Sequence, residues 1–340
     1  MYSSSIGRPA ARLESEFPRI AARRGRDDAY DERMPTRGTL LLLLAALPAC
    51  SRSSIVADDP SAMEEVADPS ARVRLLATDM RFTEGPVWVP RDGGYLVFSD
   101  MTANRLMRWS AADGLTVYRD PSPEPNGNTL DAEGRLVTCE HGARRISRTE
   151  TDGEVVALVE RAEGRRLHSP NDLVFGDDGA LWFTDPRYGL RGREPELDGD
   201  YVFRRAPDGT VTIAADDFHR PNGLCLSPDG RRLYVADSGD PKHVRAFSVW
   251  DDGVLSDGAV FYELVDAGIP DGLECDEAGR LYVTARDGVH VVADGKRIGR
   301  IRVVEPCTNV AFGGADGRTL FITAGKSLWA IDLKVRGLVR

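Results

Sequence analysis

The sequence lacks an apolar run long enough to cross a membrane, and it lacks an excess of positive charge. Its 340 residues include 44 Lys+Arg against 54 Asp+Glu, a formal net charge of −10. A membrane-spanning helix needs about 20 consecutive apolar residues, and the apolar run 40–47 is much shorter. An acidic chain without a basic cluster argues against nucleic acid as a partner.

Cysteine and histidine are scarce, with five of each. Four cysteines, Cys139, Cys225, Cys275 and Cys307, lie in or beside separate predicted strands without C-x-x-C spacing. The absence of C-x-x-C spacing disfavours a cysteine-ligated metal cluster. We expect these four residues to be small buried apolar side chains, although an exported protein would also permit disulfides.

Several catalytic motifs are missing as well. The chain has no G-x-S-x-G, no H-E-x-x-H, no P-loop, and no dinucleotide-binding glycine motif after a strand. Their absence disfavours serine hydrolases, zincins, NTPases and NAD-dependent enzymes.

The first fifty residues have the order of an export signal. Arg37 precedes the apolar run Leu40–Leu47, and Leu47-Pro48-Ala49-Cys50 follows, resembling a bacterial lipobox. A core helix ending in cysteine is the alternative. We predict a non-structural extension over 1–33, a lipoprotein signal over 34–50, lipidation of Cys50, and a flexible tether over 51–70. The protein would then be an exported, periplasmic lipoprotein that contacts the membrane only through its lipid anchor.

One phrase recurs six times in the rest of the chain. Each copy is followed by a polar turn and a short apolar run rich in Val, Phe, Tyr and Trp, typical of β-strands. The copies are TEGPVW (Thr83–Trp88), PNGNTL (Pro125–Leu130), PNDLVF (Pro170–Phe175), PNGLCL (Pro221–Leu226), PDGLEC (Pro270–Cys275) and CTNVAF (Cys307–Phe312).

The spacing of these copies predicts a propeller. The equivalent residues Glu84, Asn126, Asn171, Asn222, Asp271 and Asn309 are 42, 45, 51, 49 and 38 residues apart. A period of about 45 residues with several short strands per repeat is typical of a β-propeller blade. We therefore predict an all-β fold, a six-bladed β-propeller over residues 71–340. An open solenoid is the alternative, but it would need capping repeats.

These six residues, called here the anchor residues, should meet on the propeller axis. The first strand of each blade lines the central channel, so one equivalent position per blade converges there. Asn and Asp also favour turns, and the pattern could reflect turn formation alone. However, Glu84 is a poor turn residue and occupies the same register.

Two carboxylates and several amide oxygens suit a hard divalent cation. Ca²⁺ accepts six to eight oxygen ligands with flexible geometry, and Mg²⁺, Mn²⁺ and Zn²⁺ remain alternatives. A cation at this position could polarise a carbonyl or lower the pKa of water. Asp271 is then the candidate base or nucleophile, and Glu84 would hold the metal. His141 would be a substrate contact or a structural histidine.

The phrases Thr83–Trp88, Ser169–Asp172, Pro221–Leu224, Pro270–Leu273 and Asn309–Gly314 resemble those of the gluconolactonase / regucalcin (senescence marker protein) family. The resemblance extends from about Arg81 to Ile331. The segments Pro125–Leu130, Cys139–Gly142 and Phe183–Gly189 resemble the bacterial gluconolactonase branch of that family.

The resemblance implies a cation-dependent hydrolase that opens a sugar lactone to the aldonic acid. The family's metal-ligand pattern falls on Glu84, Asn222 and Asp271, with Asn171 as a further ligand or a substrate contact. It places the catalytic base at Asp271, and substrate contacts at Asn126 and His141. The expected partner is a small-molecule lactone, and the expected protein is a monomer or a weak homodimer.

Two alternatives share the same site, because a fold and a metal site do not fix the substrate. One is a phosphotriesterase or aryl-esterase. The other is a non-enzymatic propeller in which the cation is structural. The presence of both carboxylates, Glu84 and Asp271, argues against the second alternative.

Overall fold

A computed structural model describes residues 53–265 and 267–338 of the chain, with the side chain of residue 257 omitted. Three elements precede the first complete blade. They are strand β1 (Ile55–Ala57), helix α1 (Pro60–Val66) and strand β2 (Arg74–Ala77).

The first three blades are antiparallel four-stranded sheets. Short hairpins join most of the strands, and many of the hairpins contain glycine at positive φ, which a tight turn requires. The exception in these blades is the longer loop 186–199 between β14 and β15 of blade 3. Blade 1 comprises β3 (Thr83–Val89), β4 (Tyr95–Asp100), β5 (Arg105–Ser110) and β6 (Gly114–Arg119). Blade 2 comprises β7 (Pro125–Leu130), β8 (Leu136–Glu140), β9 (Arg145–Thr149) and β10 (Val155–Val159). A small hairpin follows, formed by β11 (Arg161–Ala162) and β12 (Arg165–Arg166). Blade 3 comprises β13 (Leu173–Phe175), β14 (Leu181–Asp185), β15 (Asp200–Arg205) and β16 (Val211–Phe218).

The last three blades include the two strands from the N-terminal part. Blade 4 comprises β17 (Pro221–Leu226), β18 (Arg232–Asp237), β19 (His243–Val249) and β20 (Leu255–Glu263). Blade 5 comprises β21 (Leu273–Cys275), β22 (Leu281–Ala285), β23 (Gly288–Ala293) and β24 (Lys296–Ile301), with β1 added at its outer edge. Blade 6 comprises β25 (Cys307–Gly313), β26 (Thr319–Ala324) and β27 (Ser327–Asp332), and β2 is its fourth strand. Two short 3-10 helices, Met101–Ala103 and Arg187–Gly189, lie in blades 1 and 3.

The ring is closed. Each innermost strand contacts the innermost strand of the next blade, and β25 contacts β3. The pairing of β2 with β27 joins the N-terminal and C-terminal parts of the propeller within one sheet. The predicted six-bladed propeller is therefore confirmed, and the open solenoid is excluded.

The apolar core lies between neighbouring blades. For example, Ile146 of blade 2 packs in one buried cluster with Phe183 and Phe203 of blade 3. Phe183 and Phe203 stack with their ring centroids 5.2 Å apart. Because the blades pack face to face with apolar side chains, polar side chains are left to fill the central channel.

The flexible tether predicted over 51–70 is wrong for Ile55–Val66. Strand β1 pairs with β24, and Met63 and Val66 of α1 are buried against blades 5 and 6. Asp59 caps α1 by accepting a hydrogen bond from the Ala62 backbone N–H at 3.1 Å. The apolar residues Ile55, Met63 and Val66 supply the contacts that fix this segment, so the folded unit begins before residue 71.

The predicted extension over 1–33, the signal over 34–50 and the lipidated Cys50 lie outside the described residues. Within residues 53–265 and 267–338, no helix is long and apolar enough to cross a membrane.

Candidate active site

All six anchor residues lie at the start of an innermost strand. Glu84, Asn126, Asn222 and Asn309 are in β3, β7, β17 and β25, whereas Asn171 and Asp271 lie two residues before the first residue of β13 and β21. Glu84, Asn171 and Asn222 are each 6 % exposed, and Asp271 keeps partial exposure. Their common register therefore places polar side chains at the channel, as predicted.

The anchor segments of neighbouring blades are joined by hydrogen bonds. The Ser99 hydroxyl of blade 1 donates to the Asn126 carbonyl oxygen of blade 2 at 2.6 Å. Thr184 of blade 3 donates in the same way to the Asn222 carbonyl oxygen of blade 4 at 2.7 Å. These bonds fix the backbone of each anchor residue, and with it the direction of the side chain.

The residue after the anchor is glycine in blades 1, 2, 4 and 5 because the blades approach closely there. A Cβ atom on Gly223 would lie 2.3 Å from the Asp271 carbonyl oxygen. The Gly223 N–H instead donates to that oxygen at 3.1 Å. Only a residue without a side chain allows this contact.

Three carboxylates approach one another at the channel. Burial, followed by the neighbouring charges of Asp271 and Asp172, raises the pKa of Glu84 well above its ordinary value. Burial, and then the charge of Asp172, raises the pKa of Asp271 to about 7. Burial and the neighbouring like charges both favour the neutral form of these carboxyl groups.

Asp172 is a site residue that the sequence prediction missed. It occupies the position that is glycine in four of the other blades, and burial raises its pKa to about 7. Its Oδ2 accepts a hydrogen bond across the channel from Asn309 Nδ2 at 3.2 Å. The replacement of glycine by aspartate at this one repeat was the available signal.

Asn309 is engaged by other groups and is a weaker ligand candidate than the other anchor residues. Its Nδ2 donates to Asp172, and its Oδ1 accepts from the Val310 N–H at 2.8 Å. Asn309 thus contributes to the channel as the partner of a carboxylate.

Asn126 and His141 form a buried pair within blade 2. Asn126 Nδ2 lies 3.1 Å from His141 Nε2. Burial, together with the positive charges of Arg191 and Arg193, lowers the pKa of His141 to about 3, so the imidazole is neutral near pH 7. The Oδ1 atom of Asn126 is buried and has no hydrogen-bond partner among the described residues. A buried acceptor of this kind calls for a donor or a cation from a ligand.

Asn222 is held from the side of blade 4 and from a loop of blade 3. Its Nδ2 donates to Ser238 Oγ at 2.9 Å, and its side chain lies near Asp271, where it opposes the rise in the pKa of that carboxyl. The Tyr188 hydroxyl lies near Ser238 and Asn222, whose side chains oppose the rise in its pKa. Burial raises the pKa of Tyr188 to about 12, which keeps this phenol protonated at neutral pH. Tyr188 and Ser238 were not identified from the sequence as site residues.

This donor set fits a hard divalent cation. Glu84 and Asp271 supply carboxylate oxygens, Asn222 and Asn171 supply amides, and Asn126 Oδ1 lacks a partner. Carboxylate and amide oxygens are the ligands that Ca²⁺ and Mg²⁺ prefer. In the described part of the chain, no three His, Cys, Asp or Glu side chains are grouped as a metal site. A soft-metal centre therefore has no support in this region, whereas a site that uses amide oxygens does.

The four cysteines predicted to be apolar core residues are confirmed as such. Cys139, Cys225, Cys275 and Cys307 are buried and free. Burial raises the pKa of the Cys139 thiol well above its ordinary value, so this group stays protonated. None of the four is an anchor residue.

Comparison with known proteins agrees with this geometry. The family model described as "SMP-30/Gluconolactonase/LRE-like region" matches residues 82–326, which include all six anchor residues. The chain belongs to the SMP-30/gluconolactonase family. The match covers the six blades except for the final strand β27 and the N-terminal elements β1, α1 and β2.

Individual relatives within the family have lactonase names. The chain is 31% identical over 304 residues to a gluconolactonase of Zymomonas mobilis, covering 81% of this chain and 85% of that protein. It is 30% identical over 259 residues to pentonolactonase XacC of Haloferax volcanii, covering 74% and 84%. The solved structure of a gluconolactonase from Xanthomonas campestris is 38% identical, with a TM-score of 0.77 and coverage of 84% and 96%.

Proposed function

We propose that the chain hydrolyses a sugar lactone to the aldonic acid at a divalent cation held by the anchor residues. The observation that carries this proposal is the buried meeting of Glu84 and Asp271 with the amide of Asn222. The enzyme class, a hydrolase of lactone-type carboxylic esters, follows from the family and its gluconolactonase relatives.

The cation would be held by Glu84, Asn222 and Asp271, with Asn171 as a further ligand or a substrate contact. Bound there, it would act as a Lewis acid that polarises the lactone carbonyl. Ca²⁺ is our first choice because carboxylate and amide oxygens suit it, and Mg²⁺, Mn²⁺ and Zn²⁺ are the alternatives to test.

Asp271 is the proposed base. Its carboxylate lies near the Asn222 side chain and keeps partial exposure, so a water molecule can reach it. Asp271 takes a proton from this water while the water oxygen adds to the carbonyl carbon. The bond from that carbon to the ring oxygen then breaks, and the ring oxygen leaves as a hydroxyl after receiving the proton that Asp271 took from water. Direct attack by the Asp271 carboxylate is the nucleophilic variant of the same step.

Asn126 and His141 would orient the substrate. His141 is neutral near pH 7, so it acts through hydrogen bonds and adds no positive charge to the site. Its contact with Asn126 Nδ2 leaves Asn126 Oδ1 to accept a hydrogen bond from a sugar hydroxyl or to bind the cation.

The test is acid release from glucono-1,5-lactone, corrected for spontaneous hydrolysis. Wild type and Asp271→Ala are assayed with and without a chelator, and Asp251→Ala, an exposed turn residue, is the matched control. We expect a loss of at least about 100-fold in Asp271→Ala, the usual lower bound for removing a general base. We also expect loss on chelation with recovery on adding Ca²⁺. Equal rates in all four conditions, or faster turnover of aryl phosphotriesters, would contradict the proposal.

We also propose that the protein is exported and attached to the membrane through lipid at Cys50. The support is the order of basic residue, apolar run and Leu-Pro-Ala-Cys in 34–50. In the native host, wild type should fractionate with membranes, and Cys50→Ala should not. A membrane-bound Cys50→Ala protein would contradict lipid attachment at this residue.

A further inference from the structure

A loop of blade 3 lies next to the anchor residues and carries Tyr188 to blade 4. Its 3-10 helix, Arg187–Gly189, packs closely on blade 2, because a Cβ on Gly189 would lie 2.8 Å from the Cβ atoms of both His141 and Ser169. Arg193 donates to the carbonyl oxygens of His141 at 3.1 Å and Gly189 at 2.6 Å. The loop is thus fixed at one end, and at the other end the Tyr188 hydroxyl lies near Ser238 and Asn222.

Arg220 packs against this tyrosine. Its guanidinium carbon lies 5.8 Å from the centroid of the Tyr188 ring. The backbone of Arg220 is fixed because its N–H donates to Asp237 Oδ1 at 2.9 Å and its carbonyl accepts from the Ser238 N–H at 3.0 Å. Its side chain is exposed. Arg220 therefore combines a rigid backbone with an accessible charged group.

Arg220 differs from the other arginines near this loop in its partners. Arg187 pairs with Asp200 at 3.2 Å, and Arg191 pairs with Glu124 at 3.0 Å. Within residues 53–265 and 267–338, no carboxylate lies at ion-pair distance from Arg220. Asp200 feels the charge of Arg220, but its direct partner is Arg187. Arg220 thus retains an unpaired positive charge beside the site.

Arg220 is also well placed relative to the reacting centre. It precedes the anchor residue Asn222 by two positions, so the Cα atoms of the two residues lie at most about 7 Å apart. This separation is comparable with the length of a six-carbon aldonolactone from its carbonyl to its far end. A planar guanidinium stacked on an aromatic ring is well suited to bind a carboxylate, phosphate or sulfonate.

We propose that Arg220, supported by Tyr188, binds an anionic group at the end of the substrate remote from the lactone carbonyl. This inference rests on the proposed lactonase function and narrows its substrate class to anionic aldonolactones. The shared chemistry is a terminal oxyanion, and phosphate serves as the probe because the same lactone ring is obtained with and without it.

The experiment compares kcat/KM for glucono-1,5-lactone and 6-phosphoglucono-1,5-lactone. The enzymes are wild type, Arg220→Gln, Arg220→Lys and Arg231→Gln, the last at an exposed residue in the turn before β18, at the opposite end of the same strands. A charge-assisted hydrogen bond lost from the site should cost roughly tenfold. We expect wild type to prefer the phosphorylated lactone by at least about this factor. The preference should disappear in Arg220→Gln, persist partly in Arg220→Lys, and remain intact in Arg231→Gln.

A binding readout separates this inference from the function on which it rests. Calorimetry measures 6-phosphogluconate and gluconate binding to the same four proteins, and it needs no turnover. Tighter binding of the phosphorylated acid that depends on Arg220 supports the subsite even if lactone hydrolysis is insensitive to chelation and to Asp271→Ala. Equal preference for the two lactones in wild type, or an unchanged preference in Arg220→Gln, overturns the inference while leaving lactonase activity intact.

Discussion

Glu84, Asp172 and Asp271 place like charges close together in a buried region, which is unfavourable unless a cation compensates them. A ligand that binds only the folded protein stabilises it by an amount set by its concentration relative to Kd. The proposed cation should therefore be visible in the stability of the protein as well as in its activity.

Glu84→Gln tests this at a single residue. At a Ca²⁺ concentration of 100 Kd, the free energy of unfolding of wild type should rise by about 2.7 kcal/mol over the chelated protein. Glu84→Gln should show little of this increase, because one carboxylate ligand is lost. Urea unfolding with and without Ca²⁺ measures both values, and Glu154→Gln, at an exposed turn, is the control. An undiminished Ca²⁺ effect in Glu84→Gln would exclude Glu84 as a ligand.

His168 makes stability depend on pH without touching the proposed cation. Burial, and then the charge of Arg187, lowers its pKa to about 4, and its Nε2 lies 3.2 Å from the Leu197 carbonyl oxygen. Because histidine in the unfolded chain titrates near 6.5, the unfolded state binds more protons between pH 6.5 and 4. His168 therefore lowers the free energy of unfolding as the pH falls from 6.5 to 4.

His168→Gln should flatten that dependence, since glutamine keeps a donor for Leu197 and does not titrate. Urea midpoints at pH 7, 5.5 and 4.5 measure it, compared with His219→Gln at an exposed position. The difference between His168→Gln and wild type isolates this residue from carboxylates that titrate in the same range. Parallel pH curves for the two proteins would show that His168 does not contribute.

The repeat predicted Glu84, Asn222 and Asp271 at the channel because equivalent positions in a repeat must occupy equivalent places in a closed ring. Their role as metal ligands came from the family resemblance and stays a proposal. The repeat could not identify Tyr188, whose place depends on a loop that crosses from blade 3 to blade 4. Such a contact leaves no periodic signal. Asp172 did leave one, as a charged residue at a position where four of the other blades have glycine, but its meaning depends on the closeness of neighbouring blades.

At the level of the strand, the close approach of neighbouring blades explains why glycine follows the anchor residue in four of them. The contact between Gly223 and the Asp271 carbonyl joins β17 to the segment before β21. These two segments hold two of the proposed cation ligands. Blade spacing and site geometry are therefore coupled through backbone atoms.

Gly223→Ala should separate β17 from the start of β21. A Cβ would lie 2.3 Å from the Asp271 carbonyl oxygen, and overpacking of this kind costs about 1–3 kcal/mol. We expect lower stability and weaker Ca²⁺ binding, measured by urea unfolding and calorimetry. The control is Gly153→Ala, where φ is +89° and no atom lies within 4 Å of the added Cβ. It should lose stability through backbone strain alone and keep its Ca²⁺ affinity. Normal Ca²⁺ binding by Gly223→Ala would show that the site tolerates this displacement.

The elements that escaped sequence prediction are those whose partners are remote. Strand β1 pairs with β24, and β2 pairs with β27, so each adds to a blade formed more than 200 residues later. Both strands are short and follow no copy of the repeated phrase. Local patterning predicts a strand from its own residues, and these strands depend mainly on an edge supplied by another part of the chain.

At the level of the whole molecule, β2 is what makes blade 6 a complete sheet. Without it, β27 would be an unpaired edge, and its N–H and C=O groups would be open to other chains. The anchor residues come from all six blades, so the ring must stay closed for the site to remain assembled. The N-terminal strands therefore stabilise the ring that holds the site, although neither strand contributes an anchor residue.

Three truncated chains, beginning at Ser53, Asp68 and Asp79, separate these contributions. The chain from Ser53 keeps every described element and should match the full-length protein in stability and activity. The chain from Asp68 loses β1 and α1, and burial of Met63 and Val66 is lost at about 1.5–3 kcal/mol for each side chain. It should be less stable but active, because the ring stays closed.

The chain from Asp79 also loses β2, and we expect it to unfold at lower urea and to associate through β27. Urea unfolding and gel filtration measure these outcomes. If the chain from Asp79 were as stable and monomeric as that from Ser53, closure would rest on the contact between the innermost strands β25 and β3 rather than on the completed blade.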